Sequence, residues 1–323
     1  MIFGIREAQK TRKAKMFVHF ILNPNAGNGR GQKKWRQLKA QLTIPYELHV
    51  TQYAGHTCEL ASEIASTATK KQPVCIIAIG GDGTLHEVVN GIATSKYVYV
   101  GAIAAGSGND FARGYRVFKD ARQLQQFVVS KEVTVHDVGV TRINDYEKRF
   151  INNFGIGFDA FVAIIANESQ LKKKLNKWKL GKLSYPYFVI QALFTFKPFQ
   201  LTAIHNEMRE VFNEVWFATV SNQPFFGGGM NLSPVSNTQD GKLEVTVVSN
   251  LSKWKLLLLF GSVFFAKHTQ MKEVHQFEVE QIQFEFQFEA HVMSHADGEK
   301  QQLQPGTNVI VAYVDEKAWH LAK

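Results

Sequence analysis

The sequence predicts a doubly wound α/β domain followed by a β-sandwich domain, with a cleft between the two. Three observations predict it. From residue 16 to about 140, apolar strand-like runs alternate with segments whose apolar residues recur at helical spacing, the pattern of a parallel sheet flanked by helices. Glycine-rich connections follow several of these runs, at the edge where such sheets bind ligands. Beyond residue 140 the period changes. Between Phe277 and Val292, Ile282, Phe284, Phe286, Phe288, Ala290 and Val292 alternate with polar residues, as in a half-buried antiparallel strand.

In chain order, residues 1–15 read as a basic extension without the apolar core of a signal peptide. The strand candidates of the first domain are 16–22, 46–52, 74–80, 97–104 and 133–142. Its helix candidates lie near 31–42, 57–70, 85–94 and 119–130. Leu85, Val88, Val89 and Ile92 recur at i, i+3, i+4 and i+7, and Thr84 with Glu87 forms a capping pair for that helix. The second domain spans 141–307, with strands at Glu214–Val220 and Leu243–Val248 and a helical insertion at roughly 165–197. Thr307–Val314 is a further strand, and the last segment, from about 308 to 323, is expected to pack back on the first domain.

Composition bounds the function. A chain of 323 residues, 45% hydrophobic, is large enough for two domains. The formal charge of +9 fits an anionic partner: nucleic acid, an anionic membrane surface or a nucleotide. Cys58 and Cys75 form no disulfide framework or zinc spacing, which fits a reducing cytoplasmic setting. The apolar runs at Tyr185–Phe196 and Leu256–Ala266 are too short or too interrupted to span a bilayer, so a soluble or peripheral protein is expected.

The stretch that carries most chemistry is Gly80-Gly81-Asp82-Gly83-Thr84, between the buried run Val74–Ile79 and an amphipathic helix. Free N–H groups at a helix start and the helix dipole favour a bound anion there, and glycines let phosphate approach the backbone. One such loop is also an ordinary tight turn. Two more glycine-rich connections, Asn23–Gly31 and Gly106–Asp110, make a nucleotide site on this edge. Asp82 and Asp110 lie in post-strand loops and, with Asp137 in His136-Asp-Val-Gly139, offer hard oxygen ligands to Mg²⁺, although each also suits a cap or a turn. Asp297-Gly298-Glu299 reads first as a hairpin turn and second as the site of a general base for phosphoryl transfer. Asp240, in Asn237–Lys242, reads as a turn or a cation ligand. His86 is expected to face solvent on the first turn of its helix. Phe225, Phe226, Phe264 and Phe265 are candidates for an acyl channel as well as for the core.

These blocks, in this order, resemble the bacterial diacylglycerol kinase and sphingosine kinase family of lipid kinases. The resemblance runs from about residue 16 to 315. It takes in Asn23-Pro24 with Gly27, the Gly80–Gly91 block, Gly106–Arg113, Asn153–Asp159, Phe226–Met230, Asp240-Gly241 and Asp297–Glu299. It implies a first domain like that of NAD kinases and phosphofructokinases, and an enzyme that moves the γ-phosphoryl group of ATP to a lipid hydroxyl, diacylglycerol first. By this resemblance Asp297 is the catalytic proton acceptor, supported by Glu299. Asn23, Pro24, Asn25, Ala26, Gly27, Thr51, Gly81, Asp82, Gly83, Thr84 and Ser107 contact ATP. Asp82, Asp110 and Asp137 organise Mg²⁺. Asp240, with carbonyls of Asn237 and Lys242, holds a second, structural Mg²⁺. Asn28 stands where such kinases can carry a lysine beside the phosphates, a charge that Arg30 is placed to supply. Family likeness also implies a homodimer, which no feature of the sequence specifies.

The basic stretch Leu171–Lys182, with Trp178 and the following Tyr185–Phe194 run, fits transient contact with an anionic membrane at the inner face, and equally a solvated helix face. The competing readings are a kinase of a soluble metabolite such as NAD, and a non-catalytic lipid-binding protein that kept the fold. No recognised nucleic-acid motif accompanies the basic residues, so no nucleic-acid partner is expected.

Overall fold

The structure, a computed structural model, describes residues 16–92, 95–168, 181–287, 289 and 291–323. The basic extension 1–15, residues 171–180 of the basic stretch, and Phe288 and Ala290 of the alternating run lie outside the described residues.

The first half runs β1 (Phe17–Leu22), α1 (Arg30–Lys39), β2 (Tyr46–Val50), α2 (His56–Ser66), β3 (Val74–Gly80), α3 (Asp82–Ile92), β4 (Val98–Ala104), α4 (Phe111–Gly114), α5 (Ala121–Ser130) and β5 (Val133–Ile143). Strands β2, β1, β3 and β4 lie side by side in that order, all parallel. Every residue of β3 is buried, as a central strand covered on both faces requires. On one face Ile21, Ile76 and Ala78 pack against Ile64, Val88 and Val89 of α2 and α3. On the other, Phe20, Cys75 and Ile77 pack against Trp35, Leu38, Leu124 and Phe127 of α1 and α5.

The expected capping pair on α3 does not form. The helix begins at Asp82, so Thr84 lies inside its first turn, where its hydroxyl accepts a hydrogen bond from Asn23 Nδ2 (3.3 Å). Glu87 instead accepts the N–H groups of Gly55 (3.0 Å) and Thr57 (3.1 Å) at the start of α2. Its carboxylate satisfies donors that Gly55, with no side chain, cannot cap.

The second half runs β6 (Tyr146–Phe150), β7 (Asn153–Gly157), α6 (Phe158–Glu168), α7 (Gly181–Thr195), β8 (Phe199–His205), β9 (Met208–Ser221), β10 (Phe225–Phe226), β11 (Met230–Asn231), β12 (Leu243–Ser249), α8 (Lys253–Val263), β13 (Val274–Val279), β14 (Gln281–Phe286), β15 (Ser294–Ala296), β16 (Glu299–Gln301) and β17 (Val309–Ala322). Its sheet is mainly antiparallel and closes over an aromatic core that includes Phe154, Phe158, Phe196, Trp216, Phe217 and Phe284. The architecture is thus an α/β half and a β-sandwich half.

Two strand expectations need correction. The run from Phe277 is not one strand: β13 pairs with β12, whereas β14 pairs with β8 and β17. Val279 and Ile282 are both buried although three residues apart, so the alternation breaks at Glu280 and the ladder stops at Phe286. The last strand is longer than expected. β17 pairs antiparallel with β14 and β5, then reaches β4 in parallel through His320 and Leu321, so one strand joins both halves. A register shift between Asp315 and Trp319, with Lys317 at a φ of +52°, lets it turn from one to the other.

Candidate active site

Two post-strand loops meet backbone to backbone. A Cβ on Gly81 would lie 2.9 Å from the Gly106 Cα, and one on Gly106 only 2.4 Å from the Gly81 Cα. Only glycine permits this approach. Asn109 closes the second loop, its Oδ1 accepting from Gly106 N (2.7 Å) and its Nδ2 donating to Gly106 O (3.0 Å). The first glycine-rich loop joins them through Arg30, which donates to Gly27 O (3.0 Å) and to Ser107 Oγ (3.5 Å).

The loops border a cavity of about 410 Å³. Asn23, Asn25, Ala26, Gly27, Thr51, Gly81, Gly83, Thr84 and Glu299 line it, together with Glu87, read from the sequence only as a cap, and Gln52 and Tyr53, which motif reasoning did not single out. Pro24, Asp82 and Ser107 lie off its wall. Its mixture of backbone, hydroxyl and amide groups suits a polar, anionic ligand.

Asp82 and Asp110 stand together behind Gly108: a Cβ there would lie 3.2 Å from Asp82 Oδ2 and 3.6 Å from Asp110 Oδ2. Asp82 Oδ1 accepts from Phe111 N (3.0 Å). Asp110 accepts from Gly228 N (2.8 Å) and pairs with Arg113 (3.1 Å), whose other nitrogen donates to Gly228 O (3.4 Å). The Gly227–Gly229 loop of the second half is thereby tied to the first. Burial, and then the charges of Asp110 and Asp297, push the Asp82 carboxyl up to about 6. Burial also raises Asp110 above the usual carboxylate range. Crowded, partly desolvated carboxylates with a glycine-shaped gap between them fit a divalent cation with oxygen ligands.

Asp297 sits on a two-residue turn between β15 and β16. Asp297 and Gly298 have φ of +52° and +83°, so the Asp-Gly signal for a hairpin turn is realised here. The carboxylate is fully buried. Its Oδ1 accepts from Asn152 N (2.8 Å) and Asn153 N (3.1 Å), and its Oδ2 from Ile151 N (2.8 Å). His86 Nδ1 is 2.8 Å from the same Oδ2. His86 therefore does not face solvent: it is only 2% exposed, drawn inward by Asp297. Nothing local in the sequence signals a bond between residues more than two hundred positions apart. Behind the turn, His295 accepts from Gly298 N through Nδ1 (3.2 Å), so its Nε2 donates to Asp159 (3.2 Å), and Phe226 stacks on its ring.

Asp137 lies within β5 rather than in a loop. Its oxygens accept from Lys317 N (2.7 Å) at the bend of β17 and from Gly241 N (2.9 Å). It thus stitches the final strand to the Asn237–Lys242 turn. In that turn Asn237 Oδ1 accepts from Gln239 N and Asp240 Oδ1 from Lys242 N (3.1 Å). Burial, with Glu278 and Asp137 nearby, raises the Asp240 carboxyl. Glu244 beside it is pushed up to about 7 by burial, and its Oε2 has no hydrogen-bond partner.

On the outside, α7 exposes Tyr187, Ile190 and Phe194, and α8 exposes Trp254 and Leu258, followed by Phe264 and Phe265. The spacings i, i+3, i+7 and i, i+4 place each set on one helix face. Lys253 Nζ lies 5.6 Å from the Phe194 ring centroid and links the stripes. Phe225 and Phe226 belong to the β10–β11 hairpin. Phe264 and Phe265 are exposed, whereas Phe226 is on the wall of a small apolar cavity with Met230, Leu232 and Phe260. No helix among the described residues is long and apolar enough to cross a membrane.

Comparison with known proteins bears on the family and the fold. Residues 17–141 match the diacylglycerol kinase catalytic domain, and residues 153–314 match the YegS C-terminal NAD kinase beta sandwich-like domain. The chain is 35% identical over 291 residues, 87% of its length and 92% of the relative's, to YtlR of Bacillus subtilis (strain 168), named as a candidate lipid kinase. It is 26% identical over 259 residues, 80% of its length and 81% of the relative's, to a diacylglycerol kinase of Mycobacterium tuberculosis. A crystal structure described as a candidate diacylglycerol kinase from Bacillus anthracis str. Sterne superposes with a TM-score of 0.71 at 21% identity. That match covers 97% of this chain and 96% of the other and bears on the fold alone.

Proposed function

The chain belongs to the diacylglycerol kinase catalytic-domain family of lipid kinases, and from that premise we propose that it uses ATP and Mg²⁺ to phosphorylate a lipid hydroxyl, diacylglycerol giving phosphatidic acid. The observation that carries this reading is the grouping of Asp82, Asp110 and Asp297 beside the glycine-loop cavity. Asp297 comes from the second half of the chain, yet its charge bears on both of the other carboxylates. A metal pair and a base must stand this close for the γ-phosphoryl group to pass between bound nucleotide and acceptor.

In this reading the 16–140 half holds the nucleotide and the 141–307 half the lipid. The N–H groups at Gly81 to Thr84 and the Asn23–Gly27 loop hold the phosphates, with Ser107 and Thr51 at the edges. Arg30 supplies the positive charge that Asn28 lacks. Asp82 and Asp110, with Asp137, would hold Mg²⁺ and its waters, and the ion would supply charge neutralisation on the phosphates when bound. Asp240, with carbonyls of Asn237 and Lys242, holds a second ion, and Asp137 braces that turn. Asp297 accepts the hydroxyl proton as the oxygen bonds to phosphorus and the bond to the ADP oxygen breaks. Three backbone amides fix the carboxylate. His86, its one side-chain partner among the described residues, is the contact that an incoming hydroxyl can replace. Glu299, on the cavity wall, supports Asp297 and screens the attacking oxygen from bulk water. The aromatic stripes of α7 and α8 favour an acceptor held in an anionic membrane, met transiently.

A soluble nucleotide acceptor is the second reading, favoured by the NAD kinase-like description of the sandwich domain. Purified protein, γ-labelled ATP and Mg²⁺, offered diacylglycerol, a long-chain base and NAD in parallel, separates the readings. Labelled phosphatidic acid, lost on chelation of the metal, is the expected product. Labelled NADP alone would replace this reading with the second, and no turnover on any acceptor would favour a binding protein.

A further inference from the structure

We propose that His19, Glu47 and His49 form a binding site for one transition-metal ion of the Zn²⁺ class, on the two outer strands of the parallel sheet and separate from the Mg²⁺ pair. Strands β1 and β2 are paired with His19 opposite Glu47 and Ile21 opposite His49. Successive strand residues point to opposite faces, so Glu47 and His49 share a face, and both meet His19 across the ribbon.

The donor atoms converge. His19 Nδ1 lies 3.2 Å from His49 Nε2 and 3.8 Å from Glu47 Oε2, and all three donors fall within 4.8 Å of one another. Ligands about 2.0–2.2 Å from a tetrahedral ion stand roughly 3.3–3.6 Å apart, so these side chains need only small rotations to share one. Among the described residues no other His, Cys, Asp and Glu side chains gather three donors so tightly. The donor set is specific in its chemistry. Two imidazoles and a carboxylate suit Zn²⁺, Ni²⁺ or Cu²⁺, whereas Mg²⁺ seeks an all-oxygen octahedron. Three protein ligands leave a fourth position for water or an exogenous group.

The site has a mechanical consequence. β2 is the edge strand, and two residues beyond His49 it reaches Thr51 on the wall of the nucleotide cavity. An ion would pin that edge to β1, which itself leads into Asn23 of the same cavity. Occupancy is therefore expected to stabilise the Thr51–Ala54 border of the site without touching the reacting groups.

Calorimetric titration of Zn²⁺ into tag-free protein in excess Mg²⁺ tests this. One ion per chain is expected, with affinity falling at least about 100-fold in His49→Gln and measurably in Glu47→Gln. Circular dichroism without metal checks that both variants fold. Co²⁺ substitution is expected to give visible bands of nitrogen and oxygen ligation. Absence of Zn²⁺ binding, binding unchanged in His49→Gln, or an intense thiolate-to-Co²⁺ band implicating Cys58 would each overturn the proposal. Kinase activity enters none of these readouts, so failure here leaves the proposed reaction untouched.

Discussion

Asp82→Asn is expected to stabilise the metal-free protein while it abolishes turnover. The fold holds the Asp82 carboxyl at about 6, against 3.8 for a free aspartate, first through burial and then through Asp110 and Asp297. An acid with a raised folded-state value binds its proton more tightly folded than unfolded. Its ionisation therefore costs stability as pH rises through the window from about 4 to 6, and the cost persists above it. At roughly 1.4 kcal/mol per unit, the shift corresponds to at most about 3 kcal/mol, less for the part of the side chain that solvent reaches. Asparagine keeps the oxygen that accepts from Phe111 N and can turn its amide toward Asp110, so the geometry survives. Urea unfolding at pH 7.5 without metal is expected to show the variant more stable than wild type by about 1–3 kcal/mol, with the difference fading toward pH 4. Mg²⁺ should stabilise wild type more than the variant, which keeps only the second ion at Asp240, and wild-type activity should fall as pH drops through about 6. A variant less stable than wild type at pH 7.5, or one that gains as much stability from Mg²⁺ as wild type does, would refute the assignment of Asp82 to a strained metal site.

Three further outcomes follow from the same geometry. His86→Ala removes a buried partner of a charged carboxylate, so a loss of about 1.5–3 kcal/mol in unfolding free energy is expected, with a lower kcat and little change in the KM for ATP. Gly106→Ala puts a Cβ 2.4 Å from the Gly81 Cα and so forces the two loops apart. It should cost about 1–3 kcal/mol and raise the KM for ATP, read by denaturation and initial rates. Trp254→Glu with Leu258→Glu should lower partitioning onto anionic vesicles at least about 100-fold, since burying each side chain is worth roughly 1.5–3 kcal/mol. The rate on a short-chain, water-soluble diacylglycerol should be unaffected.

Much of the first half was legible because its signals are local. Helical spacing at Leu85, Val88, Val89 and Ile92 and the buried run Val74–Ile79 each report their own element. Glycines at 81 and 106 mark the place where two loops touch. What escaped was non-local. Glu87 resembled a capping partner for its own helix, yet it serves α2, because α3 begins at Asp82 and carries Glu87 beyond the first turn. His86 resembled a surface residue until Asp297, from the far end of the chain, supplied a partner for its ring. The Phe277–Val292 alternation hid a change of partner strands at Glu280, because β13 and β14 carry compatible apolar patterns on either side of a single bend. Asp137 has the residue type of a metal ligand but sits inside β5 rather than in a post-strand loop. Only the fold shows that its oxygens accept from Lys317 N and Gly241 N.

The central claim is that the Asp297 turn of the second half completes phosphoryl transfer from a nucleotide held by the first. Phosphatidic acid formation from diacylglycerol and γ-labelled ATP in Mg²⁺, compared between wild type, Asp297→Asn and Glu299→Gln, tests it most directly. A fall of about 10²–10⁴-fold in kcat for Asp297→Asn, with a smaller loss for Glu299→Gln and both variants folded, is the predicted result. Near wild-type turnover in Asp297→Asn would contradict it.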